Sequence, residues 1–123
     1  MIRLIDWILG VLGLQRKVSA LSLDEVFILA IPRSSKWATV RKKHLQKQPI
    51  CQVCGAEDNL QVHHIEPFHN DPDKELDDNN LITLCDKNCH LLIGHFMNFK
   101  SWNPDVVNEC KIMQEKIKNR RYI

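Results

Sequence analysis

The apolar residues of this chain fall into short separate patterns, with no long uninterrupted run. Ile5, Ile8, Leu9 and Leu12 recur at helical spacing and predict a first helix over about residues 3–13. Ser22-Leu23-Asp24-Glu25 reads as a capping box that starts a short helix ending before Pro32. Ser34 or Ser35 then caps a helix reaching about Gln48, with Trp37, Val40, His44 and Leu45 on its apolar side and Pro49 behind its end. Leu60 to Ile65 and Asn80 to Leu84 are strand candidates, separated by an irregular polar loop from Glu66 to Asn79. A helix is predicted from near Cys89 to about Asn98. Asn103-Pro104 is a good start for a last one, along which Val106, Cys110, Met113 and Ile117 recur at helical spacing. The middle of the chain therefore reads strand, loop, strand, helix.

With 123 residues and an ordinary globular composition, one domain with a modest core is expected, and a structural metal would help it. No internal repeat or low-complexity tract is visible. The stretch from Ile2 to Leu14 is apolar apart from Arg3 and Asp6, and Val18-Ser19-Ala20 resembles a small-residue cleavage site. However, Asp6 interrupts the apolar run, and Arg16 and Lys17 sit just before the supposed cut. A packed or surface amphipathic helix is the better reading. The stretch is too short for an ordinary membrane span, and no membrane partner is expected.

Five cysteines change the picture more than composition does. Four of them form Cys51-x2-Cys54 and Cys85-x3-Cys89; Cys110 falls on an apolar helical face and reads as core. A tight pair followed by a distant tight pair, with an odd total, fits a tetrahedral structural zinc site better than a secreted disulfide framework. Cys51-Gln52-Val53-Cys54-Gly55 reads as a metal knuckle, and Cys85 and Cys89 would meet the same ion from a strand end and the following helix start. This points to a reducing, cytoplasmic compartment.

Histidines concentrate around these pairs: His63, His64, His69, His90 and His95, with His44 earlier. A zinc site pinning two strands and a helix would bring His63, His64 and His90 near one another. Histidine serves both as a base near neutral pH and as a metal ligand, the two groups hydrolysis of a phosphodiester needs. In a regular strand His63 and His64 point to opposite faces, so sharing a site requires the strand to twist or end there; Pro67 just beyond is consistent with an ending.

Val62-His63-His64-Ile65-Glu66-Pro67, then Asn80-Leu81-Ile82-Thr83-Leu84-Cys85, then Cys89-His90, resembles the HNH endonuclease family, most closely its small phage-type members with cysteine pairs. Lys36-Trp37 and Val40-Arg41-Lys42 ahead of the first cysteine fit that group, and the resemblance spans about residues 34 to 100. It implies an α+β fold: a ββα-metal (His-Me finger) core with a structural zinc knuckle and flanking helices. It also implies a metal-dependent DNA endonuclease in a bacterial or phage-infected cell. His64 resembles the general base, and His63 and His90 resemble ligands of one catalytic divalent ion such as Mg²⁺ or Mn²⁺. Asn80 resembles the middle residue of the motif, which braces the hairpin loop and so helps orient the base. Products with 5′-phosphate and 3′-hydroxyl ends, and contacts mainly to the DNA backbone with low sequence specificity, are the family expectation.

The chain departs from the family pattern in two places. The second cysteine pair has an extra residue. His95 follows His90 by five residues, not four, which makes it a second-tier ligand beside the alternative of a surface histidine at a helix end. His69 reads as a loop histidine. Glu66 and the acids Asp71, Asp73, Glu75, Asp77 and Asp78 read as a solvated loop, because they lack the glycine of a calcium site.

Net charge is only +2, but its distribution is uneven. No acid lies between Glu25 and Glu57, a gap that holds Arg33, Lys36, Arg41, Lys42, Lys43 and Lys47, and the C-terminal stretch adds five more cations. A solvated helix face is the bland explanation. With the resemblance beside it, Lys36, Arg41, Lys42 and Lys43 are expected to hold DNA. The expected organisation is an N-terminal helical extension over 1–33, the nuclease domain over 34–100 and a C-terminal helix over 101–123. The competing function is a catalytically silent zinc-binding module that binds nucleic acid. That reading explains the cysteines and basic helix but not the histidines and Asn80. Oligomeric state, target sequence and biological role stay open.

Overall fold

The computed structural model describes residues 31–123. The helices expected over 3–13 and from Ser22 towards Pro32, and the leader-like stretch, lie outside them. Residues Arg33–Ile123 form one compact unit. Among the described residues, no helix is long and apolar enough to cross a membrane.

The first described helix, α1, spans Trp37–Lys47. Ser34 supports its start through two acceptors: its carbonyl takes the N–H of Trp37 (3.1 Å) and its hydroxyl that of Lys36 (3.2 Å). The helix itself begins later than a cap at Ser34 or Ser35 would place it. Only His44 of α1 is fully buried; Trp37, Val40 and Leu45 are half-covered.

Strands β1 (Leu60–His64) and β2 (Leu81–Cys85) pair antiparallel, with His63 opposite Ile82 and His64 opposite Leu81. Every residue of β2 is buried, because β2 is covered on more than one side. The turn after α1 covers its free edge. Gln48 Oε1 accepts from the Thr83 N–H (2.6 Å), the Thr83 hydroxyl donates to the Gln48 carbonyl (2.9 Å), and the Gln52 N–H donates to the Thr83 carbonyl (3.0 Å). Pairing at Thr83 shields the middle of this edge.

The connection from Ile65 to Asn80 is polar but not loose. It holds short 3-10 turns at Pro72–Lys74 and Asp78–Asn80. Asp78 accepts from Lys47 Nζ (2.8 Å) and faces His44 Nδ1 (2.9 Å), contacts that hold its carboxyl below the usual carboxylate range.

After β2 the chain turns into a π-helical segment, His90–Gly94, flanked by one helical residue on each side. The helix expected to reach Asn98 stops here, and Phe96 and Met97 follow with left-handed φ of 49° and 66°. The last helix, α2, spans Val106–Lys118 and packs on the π-helical segment. Asn103 supports its start, as expected, but the first helical residue is Val106. Fully buried Asn103 accepts the Asp105 N–H (2.9 Å) and donates to the Ile93 carbonyl (2.8 Å), fastening α2 to the segment before it. Val106 and Cys110 enter the core with Met113 and Ile117 against it. Burial pushes the Cys110 thiol up to about 12, so it remains an inert core residue.

That core is centred on sulfur. Cys51, Cys54, Cys85 and Cys89 are free thiols whose sulfurs lie within 4.8 Å of one another. Cys54 Sγ and Cys85 Sγ are 3.7 Å apart, too far for a disulfide. The edge of a zinc–thiolate tetrahedron is roughly 3.8 Å, given Zn–S bonds of about 2.3 Å. The thiols differ among themselves: against burial, the Cys89 N–H (3.5 Å) and the Asn88 N–H bring the Cys85 pKa down to about 7, whereas burial pushes Cys54 and Cys89 up. Gly55, at φ 76°, makes the tight turn of the first pair, and its N–H donates to the Cys51 carbonyl (3.0 Å). The four cysteines fit a zinc knuckle.

Zinc in such a site contributes on the order of 10 kcal/mol, comparable with the whole stability of a small domain. Chelation, or Cys89→Ser, is therefore expected to abolish the cooperative thermal transition rather than shift it. Circular dichroism with a parallel colorimetric zinc assay checks this. A sharp transition in zinc-free protein would contradict it.

Candidate metal centre and catalytic cleft

His63 and His64 follow strand alternation, and the cleft wraps around the strand end to receive both. His63 turns towards the π-helical segment. His64, the last residue of β1, lies against Trp37 of α1, with ring centroids 4.6 Å apart. Both line one cleft of about 250 Å³, with Arg33, Phe68, His90 and His95 among the other walls.

Three imidazoles converge on one side of this cleft. The ring centroids of His63, His90 and His95 are 4.9 to 5.2 Å apart, and each residue offers a nitrogen within 4.8 Å of the others. His95 thus stands with His63 and His90, not apart as a surface histidine. Backbone geometry explains this. Five residues along an α-helix place a side chain about 140° away from the first. A π-helical turn, bonded from i to i+5, is wider and brings it much nearer the side of the first residue. The spacing that departs from the usual pattern is absorbed by a change of helix type.

The nitrogens are poised as donors. His63 Nε2 and His90 Nδ1 are buried and have no hydrogen-bond partner among the described residues. His95 Nδ1 donates to the Ser101 carbonyl (2.7 Å), which leaves Nε2 with its lone pair; the Ser101 hydroxyl in turn bonds the His95 carbonyl. Burial, then repulsion from His90, His95 and His64, pushes the His63 pKa down to about 3. His90 is lowered by burial and by His95. The lowered pKa values and unpartnered buried nitrogens of His63 and His90 suit them to a divalent ion.

His64 is held differently. Its Nε2 lies 2.9 Å from the Glu75 carbonyl, which can only accept, so Nε2 carries the proton and Nδ1 of the neutral ring is a base. Burial lowers its pKa, the bond to Glu75 opposes this, and the Arg33 charge adds to it.

Buried Asn80 braces the loop behind His64. Its Oδ1 accepts from the Glu66 N–H (2.7 Å), and its Nδ2 donates to the carbonyls of Glu66 (3.0 Å) and Lys74 (3.2 Å). Glu75 corrects the reading of the acidic stretch as solvated: it is 5 % exposed, with its carboxylate bonded to Arg33 Nε (2.6 Å) and the Ser34 N–H (3.0 Å). No local pattern marks Glu75 or Arg33 as a site residue, because they lie 42 positions apart. His69 is exposed at the cleft rim and outside the histidine cluster. Of the cations expected to hold DNA, Lys36, Lys42 and Lys43 are exposed. Arg41 is half-buried and donates from Nη2 to the Leu60 carbonyl (3.2 Å), tying α1 to β1.

Gly94 seats the His63 ring. A Cβ there would stand 3.0 Å from Cε1, 3.2 Å from Nδ1 and 3.3 Å from Nε2 of that ring. Gly94→Ala is expected to displace the ring, keep the fold, and weaken divalent-ion binding by about tenfold, the scale seen when a ligand loses its support. Calorimetric titration of Ni²⁺ into zinc-loaded protein reads this; an unchanged affinity would show that Gly94 does not set the ring.

Residues 51–96 match the family model described as HNH endonuclease, a span that holds all four clustered cysteines, both strands, Asn80 and the converging histidines. No curated protein and no solved structure matches the chain. Residues 51–96, which carry most of the cleft's histidines, are thus similar to an HNH endonuclease domain, a likeness that points to a nuclease-type, nucleic-acid-binding function.

Proposed function

We propose that the chain is a metal-dependent DNA endonuclease. His64 would act as general base, His63, His90 and His95 would hold one catalytic divalent ion, and zinc would occupy the four-cysteine site. The observation that carries this reading is the juxtaposition of two kinds of histidine in one cleft. Three offer ring nitrogens within 4.8 Å of one another, two of them buried without a partner, and the fourth has its Nε2 tied to a carbonyl.

The chemistry follows from those roles. His64 Nδ1 takes a proton from water, the water oxygen attacks phosphorus in line, and the P–O3′ bond breaks. This leaves a 5′-phosphate and a 3′-hydroxyl. His63, His90 and His95 would hold a divalent ion, which would supply positive charge to offset the negative charge that develops on oxygen. Asn80 contributes indirectly, by holding the loop that carries the Glu75 carbonyl. An all-imidazole set favours Ni²⁺ or Zn²⁺ over Mn²⁺ and Mg²⁺, which prefer carboxylate and water oxygens.

Cleavage of supercoiled plasmid by zinc-loaded protein tests the proposal. Cutting is expected with Ni²⁺, more slowly with Mn²⁺ or Mg²⁺, and not when no divalent ion is added to the zinc-loaded protein. His64→Ala should lower the rate by roughly 10² to 10⁴, the usual contribution of a general base. If wild type cuts nothing under any of these ions, the domain is instead a zinc-stabilised nucleic-acid-binding module. Equal cutting by His64→Ala would remove His64 from its role.

Lys36, Lys42 and Lys43 are proposed to contact DNA phosphates. Neutralising all of them should weaken duplex binding and flatten its salt dependence, by about 0.9 in log–log slope for each phosphate left without its lysine. Fluorescence anisotropy over a salt series measures this; an unchanged slope would exclude them.

A further inference from the structure

We propose that Arg33 binds a phosphate oxygen of the DNA in the cleft, through the Nη groups of a guanidinium held in place by Glu75 and Phe68. The assignment rests on the nuclease reading for the identity of the substrate but on separate residues for its geometry. Arg33 also lies outside the 51–96 segment that defines the domain.

The contacts of Arg33 are unlike those of an arginine that only neutralises a buried acid. An arginine–carboxylate pair usually closes as a fork, with two parallel N–H···O bonds. Here Nε alone bonds Glu75 Oε1, at 2.6 Å, and Oε2 is taken by the Ser34 N–H at 3.0 Å. Among the described residues, neither Nη group has a hydrogen-bond partner. The guanidinium carbon sits 4.4 Å from the Phe68 ring centroid and 5.8 Å from that of Trp37, the ring that also packs on His64. The cation is thus fixed by a charge pair and by aromatic faces. Its side chain stays half exposed and forms part of the wall of the cleft lined by His63, His64, His90 and His95.

Such a group suits a phosphodiester. Guanidinium N–H donors match the non-bridging oxygens of phosphate, and a preorganised donor needs no reordering when charge develops on them. Glu75 serves this arrangement as a positioning residue. Its carboxylate orients Arg33 and its carbonyl fixes His64, so substrate binder and base are set by one residue.

The test has a binding arm and a cleavage arm, both on the full zinc-loaded chain. In the first, inorganic phosphate is titrated without added divalent ion and followed by ³¹P line broadening. Arg33→Gln is expected to weaken binding about tenfold, the scale of one charge-assisted bond. Arg33→Gln leaves Glu75 buried without its cation, so Arg33→Gln/Glu75→Gln is made in parallel and should show the same loss in a protein without a buried unpaired charge. In the second arm, substrates carry each phosphorothioate diastereomer at the scissile linkage. Wild type should be slowed by one diastereomer in a way that changing the metal does not relieve, and that penalty should shrink in Arg33→Gln. A purely structural Arg33 would lower all rates and leave the diastereomer ratio unchanged, which would overturn the proposal. Equal phosphate binding by wild type and both Arg33 variants would overturn it as well. Phosphate binding that depends on Arg33 in a protein that cuts no DNA would instead sink the nuclease reading while keeping Arg33 as the phosphate group.

Discussion

Cys51 and Cys54 come from the turn ahead of β1, Cys85 from the last residue of β2, and Cys89 from the residue ahead of the π-helical segment. One ion on these sulfurs would join the elements that carry the cleft histidines. The apolar groups around it are few: Val53, Ile82, Leu84, Ile93, Val106 and Cys110 make up the rest of the buried cluster. Burying residues of this size contributes about 1.5 to 3 kcal/mol each, which the conformational entropy of ordering the chain largely offsets. An ion held there would therefore decide whether the hairpin and the segment after it keep a fixed relation. The positions of His63, His90 and His95 depend on that relation.

Within that frame, the histidine cluster is shaped by backbone conformation more than by packing. His63 reaches the π-helical segment because glycine stands at position 94, where any side chain would press on its ring. His95 joins because the segment is wound with one residue more per bonded turn than an α-helix. Each conformation is costly alone: a wider helical turn packs its own backbone less well, and Phe96 and Met97 leave the segment with left-handed φ, which bulky residues rarely adopt. Such costs persist where the surroundings impose them. Here Asn103 and Ser101 do so, bonding the carbonyls of Ile93 and His95 from the chain that leads into α2.

What can be read from the sequence, and what cannot, follows from the range over which each interaction acts. Cys51-x2-Cys54, His63-His64, Asn80 and Cys89-His90 are local patterns, so the strands, the sulfur site and three of the histidines are legible. His95 is misplaced by α-helical spacing, and nothing in Leu91-Leu92-Ile93 announces a π turn. Both helix starts fall later than their caps suggest for a related reason. Ser34 and Asn103 do accept N–H groups two residues on, but in each case the chain makes a turn before the helix begins. Arg33 and Glu75 are invisible as a pair, since charge composition cannot tell a solvated acid from a buried one.

Glu75 also explains how a polar loop can do precise work. Between His64 and Leu81 the chain has little apolar material to anchor it, so free hinge motion would leave the Glu75 carbonyl, and with it the His64 tautomer, undefined. Polar side chains supply the anchors instead. Asn80 ties the base of the loop to Glu66 and Lys74, Asp78 ties its end to His44 and Lys47 of α1, and Glu75 ties its middle to Arg33 and Ser34. Burying the Glu75 carboxylate costs several kcal/mol before pairing, and an apolar residue of similar volume would avoid that cost. An apolar residue would not, however, hold a guanidinium by Nε with its Nη groups turned outward, nor accept the Ser34 N–H. The charge buried there is best understood through the cleft it arranges, since its contribution to stability alone would not favour it.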